Sequence, residues 1–445
     1  MIRERGRQSG VGIVAELRDP VHGPVPVNAG ELHIIDAPHF QRLRRIKQLG
    51  FGEQVFPGAI HNRYLHSIGA MHVAGRLFDA LMASMPWLDD LTARRFRQTV
   101  RIAALLHDIG HPPLSHAAEA LLPLHADLQV PGHEPRPGAA SHEDMTLKLV
   151  LDSSLSEAIV AAFGSEGLEP LHIAALVDKN LPVDPEVFRV DGKDHRPMLT
   201  GLVSGELDVD RMDYLLRDSY FAGVMYGRYD LDWLLSNTLV VPDGEVVRLA
   251  MDIRAVPAFE HFLLARYHMF QMVYFHPKSD IYDAMLRKWM ESVGDEARMP
   301  AHPEEYIGCD DHWLLSRVGA SGDSWARRID EQRPLALAAE IREGVPDESR
   351  SDLEERLSAA GLEAIWLTAK PVLSRYGSSP AHLRTNPLLV RDSRSGHSGP
   401  QYRRIEEVTE LFDRYDQTLR MERIYVEREQ RVACRGVLAD WRNSL

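Results

Sequence analysis

A mostly α-helical chain with small β elements is what this sequence predicts, on three observations. Apolar residues recur at three and four over long stretches, the mark of helices with one buried face. Valine-rich runs that suit strands are short and few. Clusters of proline and glycine, at residues 126–140 and 182–205, separate the helical stretches.

Taken in order, residues 11–26 alternate short apolar stretches with Asp19-Pro20, His22-Gly23 and two further prolines, which predicts a strand and turns. A helix is expected next. Asp36 ahead of Ala37-Pro38 suits an N-cap, Phe40, Leu43, Ile46 and Leu49 follow at near-helical spacing, and Gly50 stops it. A second helix spans 66–85 on Ile68, Met71, Ala74, Leu77, Phe78 and Leu81, and a third spans 92–108 on Phe96, Val100, Ala103 and Leu106. Pro112-Pro113 interrupts it, and a further helix begins near Ser115. Helix resumes at His142, is broken by the 182–205 stretch, and returns over 206–220. Val240 to Val247 brackets Asp243-Gly244 as a hairpin, and 255–293 is helical apart from Pro277. Beyond 294 the chain turns acidic, as solvated helical faces and loops do, and the alternation over 421–433 predicts a strand. The first 290 residues are expected to form the catalytic core, and residues 291–445 an α+β C-terminal region with an oligomerisation or regulatory role.

Composition narrows the function. With 51 Lys+Arg against 65 Asp+Glu the formal charge is −14, the wrong sign for a protein living by non-specific binding to nucleic acid or anionic membranes. Any polyanion must therefore meet a local basic pocket. The two cysteines, Cys309 and Cys434, stand far apart and form no thiolate zinc pattern or disulfide framework. No apolar run approaches a membrane span, and the charged first ten residues precede no apolar signal core, so a cytoplasmic location is expected. The 21 histidines are the distinctive count, because imidazole is the commonest metal ligand and titrates near neutrality.

Their placement points to chemistry. In LLHDIGHPPLSH, His107 and Asp108 close an apolar helix and put a nitrogen and an oxygen donor at one spot, with His111 one turn on and His116 beyond the prolines. Alone, the pair serves equally as a buried hydrogen-bonded couple or as half a divalent metal site. Upstream, Arg63 and His66 lie three apart at a helix start. Downstream, Asp210, Tyr214 and Asp218 share a helical face beside Arg211, a pattern that also suits an ordinary surface stripe.

The ordered set His66, His107-Asp108 and Asp210 resembles the metal quartet of the HD-domain phosphohydrolases. Three segments, IIDAPHFQRLRRIKQLGFGEQVFPGAIHNRYLH, HDIGHPPLSH and DVDRMDYLLRDSYFAG, resemble more closely the deoxynucleoside triphosphate triphosphohydrolases of that superfamily. The likeness covers residues 19–278 and fades after about 290. It implies an HD-domain helical core and a divalent ion (manganese, magnesium, iron, nickel or zinc) held by His66, His107, Asp108 and Asp210. The implied reaction is hydrolysis of a dNTP to deoxynucleoside and inorganic triphosphate.

The resemblance also distributes roles. His116 is the implied general acid, oriented by Glu119, with His111 and His142 as phosphate donors. Arg63, Arg211 and Arg266 would meet the triphosphate, although position 211 is lysine in the vertebrate member. Gln48 and Leu49 match the ribose 3′ side, and Tyr214 and Tyr274, with Asp218 beside them, would crowd a 2′-hydroxyl. Asp36, Gln41 and Arg44 match an allosteric site for an activating GTP or dNTP, with Arg18 in place of the vertebrate asparagine, and homo-oligomerisation to a tetramer or other even assembly goes with it. Two other readings keep parts of this set: a phosphodiesterase for a dinucleotide or alarmone, and a nucleotide-sensing binding protein.

Overall fold

In the computed structural model the residues described are 12–341, 347–369, 387–392, 400–411 and 421–443. The charged first ten residues lie outside them. The chain opens with an antiparallel hairpin, Ile13–Asp19 with Gly23–Asn28, paired in register from Leu17 opposite Val25 to Asp19 opposite Gly23. The predicted single strand is thus two, turning on Asp19-Pro20. Asn28 then caps a helix, Ala29–Asp36, through a reciprocal capping box with Glu31.

The helix predicted from Asp36 to Gly50 is not formed as such. Asp36 ends the Ala29–Asp36 helix instead of capping the next, and Ala37 is extended (φ −62°, ψ 141°), as the residue ahead of Pro38 must be. One turn, Pro38–Gln41, is followed by the tight turns Arg42–Arg45 and Gly50–Gln54. Phe40, Leu43 and Ile46 are still buried, so the apolar spacing is real while the helix is segmented.

The centre of the fold is helical. Arg63–Leu81 and Asp90–Leu106, capped by Asn62 and Asp89, pack side by side, and Val209–Ala222, capped by Asp208, lies against the first. Every apolar residue expected on the second and third helices is buried. Helices His142–Leu151, Ser154–Phe163 and Pro170–Val177 complete one side. The 182–205 stretch, read as a breaker, holds another helix, Arg196–Val203, because Pro197 falls in its first turn where proline is tolerated. The expected hairpin is present as Thr238–Asp243 with Val246–Asp252. The long helix after it divides into Val256–Met269, a π-helical turn Phe270–Tyr274, and Pro277–Val293.

Beyond 294, three short helices (Pro303–Tyr306, Asp311–Ala320, Ser324–Asp330) join the main core, and Asp310 and Asp311 are buried, contrary to the expectation of solvated faces. A second small core follows. The strand Met421–Val426 runs antiparallel between Ala336–Ile341 and Ile365–Ala369, with helices Asp347–Ala359 and Arg431–Asn443 packed on that sheet. The strand predicted to reach Ala433 therefore stops at Val426, and Arg431–Asn443 is helical with Cys434, Leu438 and Trp441 on its buried face. The class is mostly α with an α+β C-terminal region. No helix among the described residues is long and apolar enough to cross a membrane.

Candidate metal centre and substrate cavity

Three helices bring four side chains to one point. His66 comes from the first turn of Arg63–Leu81, His107 and Asp108 follow the last residue of Asp90–Leu106, and Asp210 sits in the first turn of Val209–Ala222. His66 Nε2 lies 3.4 Å from His107 Nε2, 3.5 Å from Asp108 Oδ2 and 3.1 Å from Asp210 Oδ1. His107 Nε2 stands 3.3 Å from Asp108 Oδ1 and 3.5 Å from Asp210 Oδ1. Ligand atoms about 2.1 Å from one ion stand roughly 3.0–3.4 Å apart, so these spacings fit a shared divalent cation.

The tautomers fit as well. His107 Nδ1–H donates to the Ala104 carbonyl at 2.7 Å, and His66 Nδ1–H donates to Asp213 Oδ2 at 2.8 Å, so both rings turn an Nε2 lone pair towards the centre. Burial pulls the His66 pKa down, but hydrogen bonds to Asp210 and Asp213 and the charges of Asp213 and Asp108 outweigh it and push it up to about 10. Carboxylates that favour a proton there favour a metal cation for the same reason. Arg63, His107 and His111 hold the Asp108 carboxyl well below the usual range against its burial.

Sequence reading missed what holds this centre. Asp213 accepts from Arg217 Nε and Nη2, both at 2.8 Å, and from His22 Nε2 at 2.6 Å, while Arg217 Nη1 reaches Asp19 Oδ2 at 2.8 Å. The Asp19-to-Gly23 turn read as plain punctuation therefore anchors the carboxylate that orients His66. Gly69 allows this approach, since a Cβ there would sit 1.9 Å from Asp213 Oδ1 and 2.2 Å from Arg217 Nη2. Gly69→Ala is accordingly expected to lower stability by about 1–3 kcal/mol and metal affinity by about 10–100-fold. Thermal unfolding and metal titration check this, and a variant matching wild type in both would show that Asp213 does not set the His66 ring.

The quartet opens on a cavity of about 550 Å³. Among its lining residues are Gln48, Leu49, Arg63, His111, His116, His142, Arg211, Tyr214, Asp218, Arg266 and Tyr274, so nearly the whole expected substrate set is assembled around one space. The histidines form a cluster of their own. His111 stacks on His142 at 3.9 Å between ring centres, and His116 stands edge-on to both at 4.8 and 5.1 Å. His111 Nε2 faces Asp108 Oδ1 at 3.3 Å, its Nδ1 is buried with no hydrogen-bond partner among the described residues, and burial with the Arg63 charge holds its pKa well below normal.

Several details depart from expectation. Glu119 was assigned to His116, but its close partner is His142 Nδ1 at 2.6 Å; His116 Nδ1 is 3.5 Å away on a largely exposed ring. Burial opposes a charge on Glu119, yet hydrogen bonds from both histidines hold its carboxyl far below the usual range. Arg211 is turned back to its own helix start, donating to the Gly205 and Glu206 carbonyls at 2.9 and 3.2 Å. Arg63 ion-pairs with Asp108 and donates to Ser115 Oγ at 2.8 Å, so its guanidinium is tied to the metal site. Arg266 lies over the Phe270 ring. Tyr274 donates to Asp218 Oδ2 at 2.7 Å, and Asp218 Oδ1 pairs with His61 at the same distance, which makes Asp218 the support of the tyrosine. Gln48 Oε1 is buried with no hydrogen-bond partner among the described residues.

The loop carrying His116 is firmly placed. Leu114 and Ser115 both adopt left-handed backbone (φ 53° and 58°), a cost of about 1 kcal/mol or more each for non-glycine residues. It is offset by the buried Asp311, which accepts from Leu114 N at 2.7 Å and Lys47 N at 3.0 Å, and by Ser115 Oγ donating to the Lys47 carbonyl. Arg42, buried, donates to the His111, Ile109 and Cys309 carbonyls. Asp36, Gln41 and Arg44 lie elsewhere, at the surface; Arg44 donates to Gln41 Oε1 at 2.8 Å and stacks on Tyr64.

Comparison with known proteins places this architecture. The HD domain family model matches residues 63–186, and the HD associated region matches 230–343. Residues 63–186 are an HD domain, and the cofactor is a divalent metal ion. It is 31% identical over 316 residues to an uncharacterised protein of Methanocaldococcus jannaschii, covering 71% of this chain and 57% of that one. It is also 30% identical over 282 residues to the human deoxynucleoside triphosphate triphosphohydrolase SAMHD1, covering 61% of this chain and 43% of the human protein. The chain spans a little over half the length of the first curated relatives it matches. A hypothetical protein of Aquifex aeolicus, known from its crystal structure, superposes with a TM-score of 0.71 at 27% identity over 95% of this chain and 99% of that one. A phosphohydrolase of Bacteroides thetaiotaomicron, at 23% identity and TM-score 0.67 over 93% of this chain and all of that one, shares the fold.

Proposed function

We propose that this chain hydrolyses deoxynucleoside triphosphates to the deoxynucleoside and inorganic triphosphate. The observation that carries the reading is the joining of His107, Asp108 and Asp210 of the metal quartet with Gln48, Tyr214 and Tyr274 in a single cavity. The likeness to the human triphosphohydrolase supports it. A divalent ion on the quartet supplies Lewis acidity at a phosphate oxygen and lowers the pKa of water.

The chain's own residues do the rest. Water attacks the α-phosphorus and gives up a proton to solvent, the bond to the ribose 5′-oxygen breaks, and that oxygen takes a proton from His116, the histidine nearest solvent, which is reprotonated from solvent. His111 and His142, stacked on each other and fixed by Asp108 and Glu119, stand on the triphosphate side of the cavity. At the sugar, the free Gln48 carbonyl accepts from the 3′-hydroxyl. An activating nucleotide at Asp36, Gln41 and Arg44, and assembly into an even oligomer, belong to the same proposal.

Tyr274, fixed by Asp218 and edge-on to Tyr214 at 6.1 Å, closes the room a 2′-hydroxyl would need. Exclusion costs the wrong substrate binding energy without adding contacts to the right one. Tyr274→Ala is expected to raise ribonucleotide relative to deoxynucleotide kcat/KM by about tenfold or more, while Tyr274→Phe keeps the discrimination and loses about 1–3 kcal/mol of stability by orphaning Asp218 Oδ2. An unchanged ratio in Tyr274→Ala would remove the tyrosine from sugar selection. The decisive experiment incubates metal-loaded protein with the four dNTPs, singly and mixed, and measures triphosphate release. Release of none of it, with turnover of a dinucleotide or alarmone instead, would replace the proposal by a phosphodiesterase.

A further inference from the structure

The cavity has a wall that the proposed chemistry does not use. Phe275 follows Tyr274 directly, and Ser279 and Asp283 recur at intervals of four on the Pro277–Val293 helix, with Asp280 between them; all four line the same space as the metal quartet. The turn after Gln48 and Leu49 packs on this helix through Phe51 stacked on Tyr282 at 5.2 Å. Because this wall continues directly from Tyr274, which the proposed function sets at the sugar, it stands where the base of a bound nucleoside would go.

Its hydrogen-bonding capacity is unspent. Ser279 is 7% exposed, and its Oγ has no hydrogen-bond partner among the described residues. Asp280 ion-pairs with Arg423, which is itself buried on the Met421–Val426 strand and also bonds Glu340 at 2.9 Å. The C-terminal sheet thus gives one of the two carboxylates a counter-ion. The other, Asp283, is pushed up to about 7 by burial and by the neighbouring Asp280, so a ligand's donor edge would stabilise its ionised form.

We infer that Ser279 and Asp283, with Asp280 held beside them by Arg423, form a base-recognition subsite that selects guanine. Guanine presents an acceptor, O6, next to two donors, N1–H and the N2 amino group. A serine hydroxyl answers the first and a carboxylate accepts from both of the others. Adenine and cytosine would turn a ring-nitrogen lone pair at the carboxylate, and thymine offers it one donor only. The inference rests on the cavity taking a nucleoside, and names which one.

The test is kcat/KM for triphosphate release from each of the four dNTPs. Wild type is expected to favour dGTP over dATP and dCTP by about tenfold or more, with dTTP between, and Asp283→Asn, checked for folding by thermal unfolding, should cut the dGTP/dATP ratio by a similar factor. Ser279→Ala, the milder change and the recourse if Asp283→Asn fails to fold, should cut it about three- to tenfold. Equal kcat/KM for all four bases, or a ratio unmoved in the folded variant, overturns the subsite. If no dNTP is hydrolysed at all, the proposed activity fails separately, and equilibrium binding of dGMP and dAMP to the full chain decides the subsite. Tighter dGMP binding that Asp283→Asn levels sustains it, and equal binding overturns it.

Discussion

His107→Ala protein is expected to hold no divalent ion and to release no measurable triphosphate, a fall of about 10³-fold or more. His107 Nε2 is within 3.5 Å of His66, Asp108 and Asp210, whereas its Nδ1 bonds only the Ala104 carbonyl of its own helix, so the substitution removes a ligand with little other damage. Losing one donor of four sharply weakens a site. Asp108→Ala should be as inactive but less stable, because the buried Arg63 guanidinium loses its ion pair, a loss of about 3–5 kcal/mol. Metal analysis and thermal unfolding with and without added ion separate the two causes. Wild type should gain stability from the ion as mass action requires, and His107→Ala should not. Full metal content and activity in His107→Ala would end the assignment of the quartet.

What made this centre legible was local. His107 and Asp108 are adjacent, His66 and Asp210 open helices whose apolar spacing marks their registers, and the order of the four carries the family resemblance. The supporting shell was not legible because it is assembled across the chain: His22 and Asp213 stand 191 residues apart and meet only once the hairpin has folded against the Val209–Ala222 helix. A signal did exist. A metal-ligating imidazole needs an acceptor for its other nitrogen, and Asp213 lies one turn on from Asp210 with Arg217 four residues further, an acid–base pair spaced to hold a buried carboxylate. The same limit hid the second and shorter contact of Glu119, since the three-residue spacing to His116 was visible and the contact to His142, 23 residues on, was not.

The fold errors have a common physical source, which is a local rule applied without its position. Proline was read as a breaker at 197, where it sits in a first turn, whereas at 38 it starts a helix as expected, one that lasts a single turn before the tight turn Arg42–Arg45. Alternation over 421–433 was taken for one strand, although Val432 is exposed and Cys434, Leu438 and Trp441 repeat at helical spacing. Met421–Val426 does not alternate in burial at all, being covered on both faces as the middle strand of its sheet.

His116→Ala should keep its metal and bind substrate with near-normal KM while kcat falls by about 10²–10⁴-fold, since a general acid acts chiefly in the transition state. The geometry separates it from its neighbours. His116 stands 67% exposed at the edge of the histidine stack, where a proton can be replenished from solvent, whereas His142 is clamped by Glu119, to which its ring Nδ1–H and its backbone N–H donate at 2.6 and 3.2 Å. Glu119→Ala is therefore expected to act mainly through His142, raising KM along with a smaller loss in kcat, and His142→Ala should raise KM in the same way. Steady-state kinetics on the three variants, with metal content measured in each, distinguishes the roles. A pure KM effect in His116→Ala would make it a binding residue, and equal kcat losses in Glu119→Ala and His116→Ala would mean that the 3.5 Å contact between them tightens into a working dyad when substrate is bound.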